Sequence, residues 1–219
     1  MAKSLLLIPT DAERRWAGEL LVTLSTEVTV AVCGFGAIVA GIRTAQLIAQ
    51  LRPQRVWLAG IAGAIDSRLQ LGTACEFEQV SCYGVGAGSG ANFQTAAEMG
   101  WQHWPGDTTA GPRQPICDTL KLTAAGSPST AEPRELLTVC AASAGAADVA
   151  CRQQKFPLAQ AEDMEGFAVA AACQLAQVPL RIMRGLANVA GDRDQRNWQS
   201  EAAMRAAVAL VLAALKEKD

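Results

Sequence analysis

Glu162-Asp163-Met164-Glu165-Gly166, followed after a helix of small residues by Arg184-Gly185-Leu186-Ala187-Asn188, is the stretch that decides the fold. It sets an acidic turn, a helix opening on Glu165 and a buried strand ending in a polar amide within one short span. A helix and an apolar strand in direct succession are a unit of an α/β sheet. In such sheets, polar groups at the carboxyl ends of strands gather in the ligand crevice. A carboxylate and an amide delivered there together suit a site that reads hydroxyls and a heterocycle.

Working outward, Leu5 to Ile8 reads as a short buried strand ending at Pro9-Thr10, and Asp11 to Leu24 as a helix. Glu27 to Cys33 is β-branched and strand-like, and Gly34-Phe35-Gly36 breaks it. Ala37 to Leu51 carries Ile38, Ile42, Ala45 and Ile48 at helical spacing and stops before Pro53. Arg55 to Ala59 is a further buried strand, closed by Gly60-Ile61-Ala62-Gly63-Ala64. Strands and helices alternating at this spacing predict a three-layer α/β fold. After Gly72, Phe77 to Tyr83 is strand-like, and residues 84–133 are a loop-rich variable region. Regularity returns with a strand at Leu136 to Cys140, a helix near Ala144 to Gln154 and a final helix from Trp198 to Leu215. There are no internal repeats and no linker, so residues 1–219 are expected to form one domain.

Composition narrows the function classes. A net charge of −2 and 5% aromatic residues provide neither a basic footprint nor a stacking platform for nucleic acid. Seven cysteines are an odd number without a CxxC pair, which predicts reduced, mostly buried thiols in the cytoplasm. The apolar run after Met1 is too short for a signal peptide, and no segment reaches the ~18 apolar residues of a membrane span. A soluble protein acting on a small molecule is the expectation.

Gly34 and Gly36 invite a dinucleotide reading, but the third glycine of that fingerprint would be Val39, and no acid follows at the ribose spacing. Tight turns explain these glycines better. His103 is the only histidine, and the cysteines lack ligand spacing, so no metal and no cofactor are expected. His103 reads as surface or loop packing. Glu165 is open to two readings: a first-turn acid favoured by the helix dipole, or a ligand group. The inward-facing helix it opens and the Asn188 that ends the next strand favour the second. Glu13, shortly after the first strand, reads by itself as an exposed helix glutamate.

These segments resemble the nucleoside phosphorylase and nucleosidase superfamily, which holds methylthioadenosine/S-adenosylhomocysteine nucleosidases and purine nucleoside phosphorylases. Gly60-Ile61-Ala62-Gly63-Ala64 with Leu71-Gly72-Thr73 looks like its Gly-rich strand end and "LGD" turn. Asp163-Met164-Glu165-Gly166 looks like its "EMEG/A" segment, and Val178-Pro179-Leu180 to Asn188 like "VP…RxISD". The resemblance implies a three-layer α/β/α sandwich with a central mixed sheet, and commonly a homo-oligomer. Leu58 and Ile61 stand where phosphorylases place phosphate-holding Arg and Ser, which points to water as nucleophile; Arg14 keeps one phosphate-type position. Asn188 stands where adenine-specific nucleosidases have Asp, and an amide donor suits a 6-oxo purine. Asn188-Val189-Ala190-Gly191-Asp192-Arg193-Asp194 with Trp198 resembles the "SN-x-x-G-x-R-D…W" pattern of futalosine hydrolases.

By that resemblance, Glu13 deprotonates the attacking water and Asn188 holds the departing hypoxanthine. Glu165 binds the ribose hydroxyls, Met164 packs on the sugar, and the backbone at Ile61 and Ala62 lines its pocket. The base-stacking aromatic of the family maps near Ala142 and Ser143; Phe93, Trp101 and Trp104 are candidates to replace it. The alternatives are a methylthioadenosine/S-adenosylhomocysteine nucleosidase, a purine nucleoside phosphorylase, or a non-catalytic nucleoside-binding relative.

Overall fold

β1 (Ser4–Ile8) is buried along its whole length because its side chains alternate between two layers. Leu5 and Leu7 enter one apolar cluster, Leu6 and Ile8 the other. A strand covered on both faces reads as a continuous apolar run, as this one does. This computed structural model describes residues 4–107, 114–122 and 134–216. The expectations that touch residues 1–3 and, within the variable region, residues 108–113 and 123–133 lie outside the described residues.

Thr10 caps α1 (Asp11–Ala17), its hydroxyl accepting from the Glu13 amide. The helix ends at Gly18, with φ of 54°, and a 3-10 turn over Gly18–Thr23 takes the place of the predicted continuation to Leu24. β2 (Val28–Val32) and α2 (Ala37–Leu51) follow as predicted. β3 (Arg55–Ala64) runs on through the glycines that read as its end. The single strand expected over Phe77 to Tyr83 is two, β4 (Ala74–Phe77) and β5 (Gln79–Tyr83). The variable region contributes β6 (Gly86–Ala87), β7 (Gln94–Thr95) and β8 (Thr119–Lys121). Then come β9 (Glu135–Val139), α3 (Ala146–Lys155), β10 (Ala159–Asp163), α4 (Gly166–Ala176), β11 (Leu180–Val189) and α5 (Ser200–Ala214). Glu162 and Asp163 thus end a strand; they are not in a turn.

Among the described residues, nine strands form one mixed sheet in the order β2-β1-β3-β10-β9-β5-β8, with β11 pairing β3 and β4. Leu5, Leu7, Val56, Leu58 and Ile182 face the layer of α2 and α4. Leu6, Ile8, Trp57, Ala59 and Met183 face the layer holding α5. The result is an α/β/α sandwich. Where α2 crosses α4, a Cβ on Gly41 would lie 3.3 Å from the Ala168 methyl, so the glycine permits the close approach. One edge of β3 changes partner along its length. Arg55–Leu58 pair in parallel with β1, Gly63 and Ala64 pair antiparallel with β10, and residues 59–62 between them have no strand partner on that edge. No helix among the described residues is long and apolar enough to cross a membrane.

Candidate active site

The unpaired stretch of β3 leaves the Ile61 amide to a side chain from α1. Glu13 is only 5% exposed, contrary to the surface position its helix suggested. Its Oε1 accepts from the Ile61 amide at 3.0 Å, and its Oε2 from the Thr10 hydroxyl at 2.7 Å. The residue that caps α1 therefore also orients the carboxylate.

Glu165 precedes α4 without capping it. Asp163 takes that role, accepting from the Gly166 amide at 2.8 Å and from the Thr138 hydroxyl at 2.6 Å. Glu165 is left to accept from the Gly36 amide, at the start of α2, at 3.0 Å. Its other oxygen accepts from Arg184 Nη2 at 3.3 Å. Burial pushes its pKa up to about 7; Arg184 and the Gly36 amide oppose the rise, while Asp163 and Glu13 add to it.

Arg184 is fully buried at the centre of this group and also ion-pairs with Asp163. Burial alone would lower its pKa, but Asp163, Glu165 and Glu13 hold it above the ordinary value. It pairs in register with Gly60, where a Cβ would lie 1.8 Å from Arg184 Nη1 and 2.9 Å from Glu13 Oε1. Only glycine leaves room for a guanidinium between these carboxylates.

A cavity of about 330 Å³ opens over the group, within the range of small-molecule sites. Glu13, Ile61, Ala62, Met164, Glu165 and Asn188 all line it, so the residues picked from sequence converge. Asn188, however, offers the opposite group from the one expected. Its amide nitrogen donates to the Val189 carbonyl at 2.8 Å and the Asp192 carbonyl at 3.2 Å. Oδ1 accepts no hydrogen bond among the described residues, so the amide presents an acceptor where a donor to a 6-oxo group was expected. Trp198 Nε1 donates to the same Asp192 carbonyl at 3.1 Å and fixes the loop.

Comparison with known proteins agrees with this geometry. The family model described as the phosphorylase superfamily matches residues 9–216. The chain belongs to this superfamily. A curated futalosine hydrolase from Streptomyces coelicolor is 29% identical over 148 residues. That match covers 68% of this chain but only 59% of the relative, less than two thirds of its length. Among solved structures, the methylthioadenosine/S-adenosylhomocysteine nucleosidase of Neisseria meningitidis, bound to methylthio-immucillin-A, superposes with a TM-score of 0.74 at 16% identity. The superposition covers 99% of this chain and 100% of that one. The futalosine hydrolase of Helicobacter pylori gives 0.72 at 14% identity, covering 100% and 99%. At these identities the structures share the fold.

Several residues of this superfamily member stand elsewhere than their sequence suggested. Phe93 is buried against Tyr83, their ring centres 4.5 Å apart, and neither it nor Trp101 nor Trp104 lines the cavity. The aromatics that do are Trp16, Phe35 and Trp198. His103 is largely buried and lies 2.9 Å from Asp118, a partner far enough along the chain to be invisible in local sequence. Arg14 is exposed, ion-paired with Asp11 at 2.9 Å, and does not line the cavity. Sequence reasoning passed over Arg184 and Thr10. An arginine well inside an otherwise apolar strand, beyond the Arg181 near its start, was the available signal, since a buried cation requires carboxylate partners.

Proposed function

We propose that this protein is an N-glycosyl hydrolase that splits a purine nucleoside with water, acting on futalosine to release hypoxanthine and dehypoxanthine futalosine. The observation that carries the reading is the Glu13 carboxylate, held by the Ile61 amide and the Thr10 hydroxyl, opening on the same cavity as Glu165. Glu165 accepts from the ribose hydroxyls, an interaction that strengthens as oxocarbenium character develops. Glu13 orients and deprotonates the attacking water. Asn188 Oδ1 accepts from N7–H of the departing base, whose proton comes from solvent.

Water is favoured over phosphate by the charge of the cavity. Glu13, Glu162, Asp163 and Glu165 line it against a single lining guanidinium, Arg193. Arg152 and Arg184 are already engaged by Glu162, Asp163 and Glu165, so a phosphate dianion would meet the Glu13 carboxylate with Arg193 as the one cation lining the cavity among the described residues. Futalosine is supported by the curated relative of that name. A second reading, methylthioadenosine/S-adenosylhomocysteine nucleosidase, is favoured by Asn188 Oδ1, which can accept from a 6-amino group.

The test is purine release from futalosine, methylthioadenosine and inosine, each with and without phosphate. Hypoxanthine release from futalosine at a phosphate-independent rate is the expected result. A phosphate requirement would make the enzyme a phosphorylase, and adenine release alone would select the second reading. Binding without turnover would leave a nucleoside-binding protein.

A further inference from the structure

We infer that Glu162 is the residue that selects the base, accepting a hydrogen bond from a ring N–H found on 6-oxopurines and missing from 6-aminopurines. The inference rests on the nucleosidase reading above and deepens it.

Position comes first. Gly63 pairs on one edge with Glu162 of β10 and on the other with Asn188 of β11. Two strand spacings, about 10 Å, separate the backbones of Glu162 and Asn188, and a residue without a side chain lies between them. Both residues line the cavity. Glu13 reaches β3 at Ile61, and Arg184 pairs at Gly60. The Glu162 and Asn188 pair therefore lies two residues further along the strand than Ile61, about 7 Å. A sugar held at the Glu13 and Glu165 level places its base at the Gly63 level.

Chemistry follows. Glu162 is 5% exposed, and its carboxylate is fixed from behind. Oε1 accepts from the Ser143 amide at 2.8 Å; Oε2 accepts from the Ser143 hydroxyl at 2.7 Å and pairs with Arg152. Arg152 is itself buried and donates to the Ala141 carbonyl at 2.7 Å. A carboxylate oxygen accepts in two directions, and Oε1 has one left among the described residues. Hypoxanthine carries a donor at N1–H, whereas N1 of adenine is an acceptor and would be repelled. Asn188 cannot favour the 6-oxo base, because its free Oδ1 accepts from N7–H, which either base carries once protonated, and any further bond it accepts would come from a 6-amino group.

The rival explanation is that Glu162 only anchors the loop at residues 141–143 through Arg152 and Ser143. Two experiments separate the readings. In the first, hypoxanthine, 1-methylhypoxanthine and adenine are compared as inhibitors of the wild-type enzyme. A hydrogen bond to a charged acceptor makes hypoxanthine tighter by roughly 10- to 100-fold. In the second, E162Q is assayed with the same bases after thermal unfolding has shown that it folds. Hypoxanthine should weaken by that factor while 1-methylhypoxanthine and adenine change less than about 3-fold. Equal weakening of all three bases, or a wild type that prefers adenine, overturns the role of Glu162 and leaves the nucleosidase reading intact. If E162Q does not fold, the wild-type comparison decides alone. A wild type that neither binds purine bases nor releases them removes both readings.

Discussion

Glu165 shows how a single buried carboxyl ties pH to chemistry. Its pKa of about 7, against 4.5 in an unfolded chain, means that the native state holds this proton more tightly. The group therefore favours the fold fully below about pH 4.5, and that contribution is lost as pH rises through 7. Catalysis runs the other way, because the ionised form binds the ribose hydroxyls and faces the developing cation. The expected kcat/KM profile falls on the acid side with an apparent pKa near 7, measured for the free enzyme. E165Q should lower the plateau by roughly 10²- to 10³-fold and abolish that limb. A flat profile through neutrality, with E165Q near full activity, would remove Glu165 from the reaction. The position of Glu165 was legible in the sequence because strand ends meet at the crevice of an α/β sheet. Its partner Gly36 lies far away in the chain and the sheet alone brings Arg184 onto it, so the raised pKa could not be read there. The Val189 and Asp192 carbonyls that turn the Asn188 amide are close in sequence, but the loop conformation that presents them is not written in it.

Elements were legible where local chemistry marks both ends and obscure where a neighbour sets them. α2 starts after Gly36 and stops before Pro53, and its predicted bounds are those observed. β3 was cut short because Gly60 to Ala64 has turn-like composition; its glycines instead answer to Arg184 and Ala190 packed against them. Phe77 to Tyr83 divides because β4 pairs with β11 while β5 pairs with β9. Gly185 is the sharpest example of a glycine required by packing. A Cβ there would lie 1.9 Å from the Ala203 carbonyl oxygen and 2.3 Å from its carbon, backbone atoms of α5 that no rotamer change can move. G185A should therefore destabilise by about 1–3 kcal/mol or more. G145A, with nothing within 4 Å of the new methyl, should stay within about 0.5 kcal/mol of wild type. Urea unfolding of both variants checks this, and equal stability would mean that α5 is not seated on β11 as closely as described.

At the scale of the molecule, the question is whether strands on both sides of the β3 split unfold as one body, as a single domain requires. Cys33 follows β2, Cys82 lies in β5 and Cys173 in α4, yet all three belong to one apolar cluster. Burial is the largest cause holding each thiol at a pKa of about 12. They are neutral at ordinary pH and react with an alkylating agent only when the structure opens. Cys140 is exposed and should label at once, an internal standard in the same chain. If the core is one cooperative unit, site-resolved labelling along a urea titration gives Cys33, Cys82 and Cys173 a common midpoint. Hypoxanthine should move all three midpoints upward together, because a ligand seated at the split stabilises only the state in which both sides are in place. Separate midpoints, or a shift confined to one thiol, would divide the chain into independent units and place the cavity within one of them.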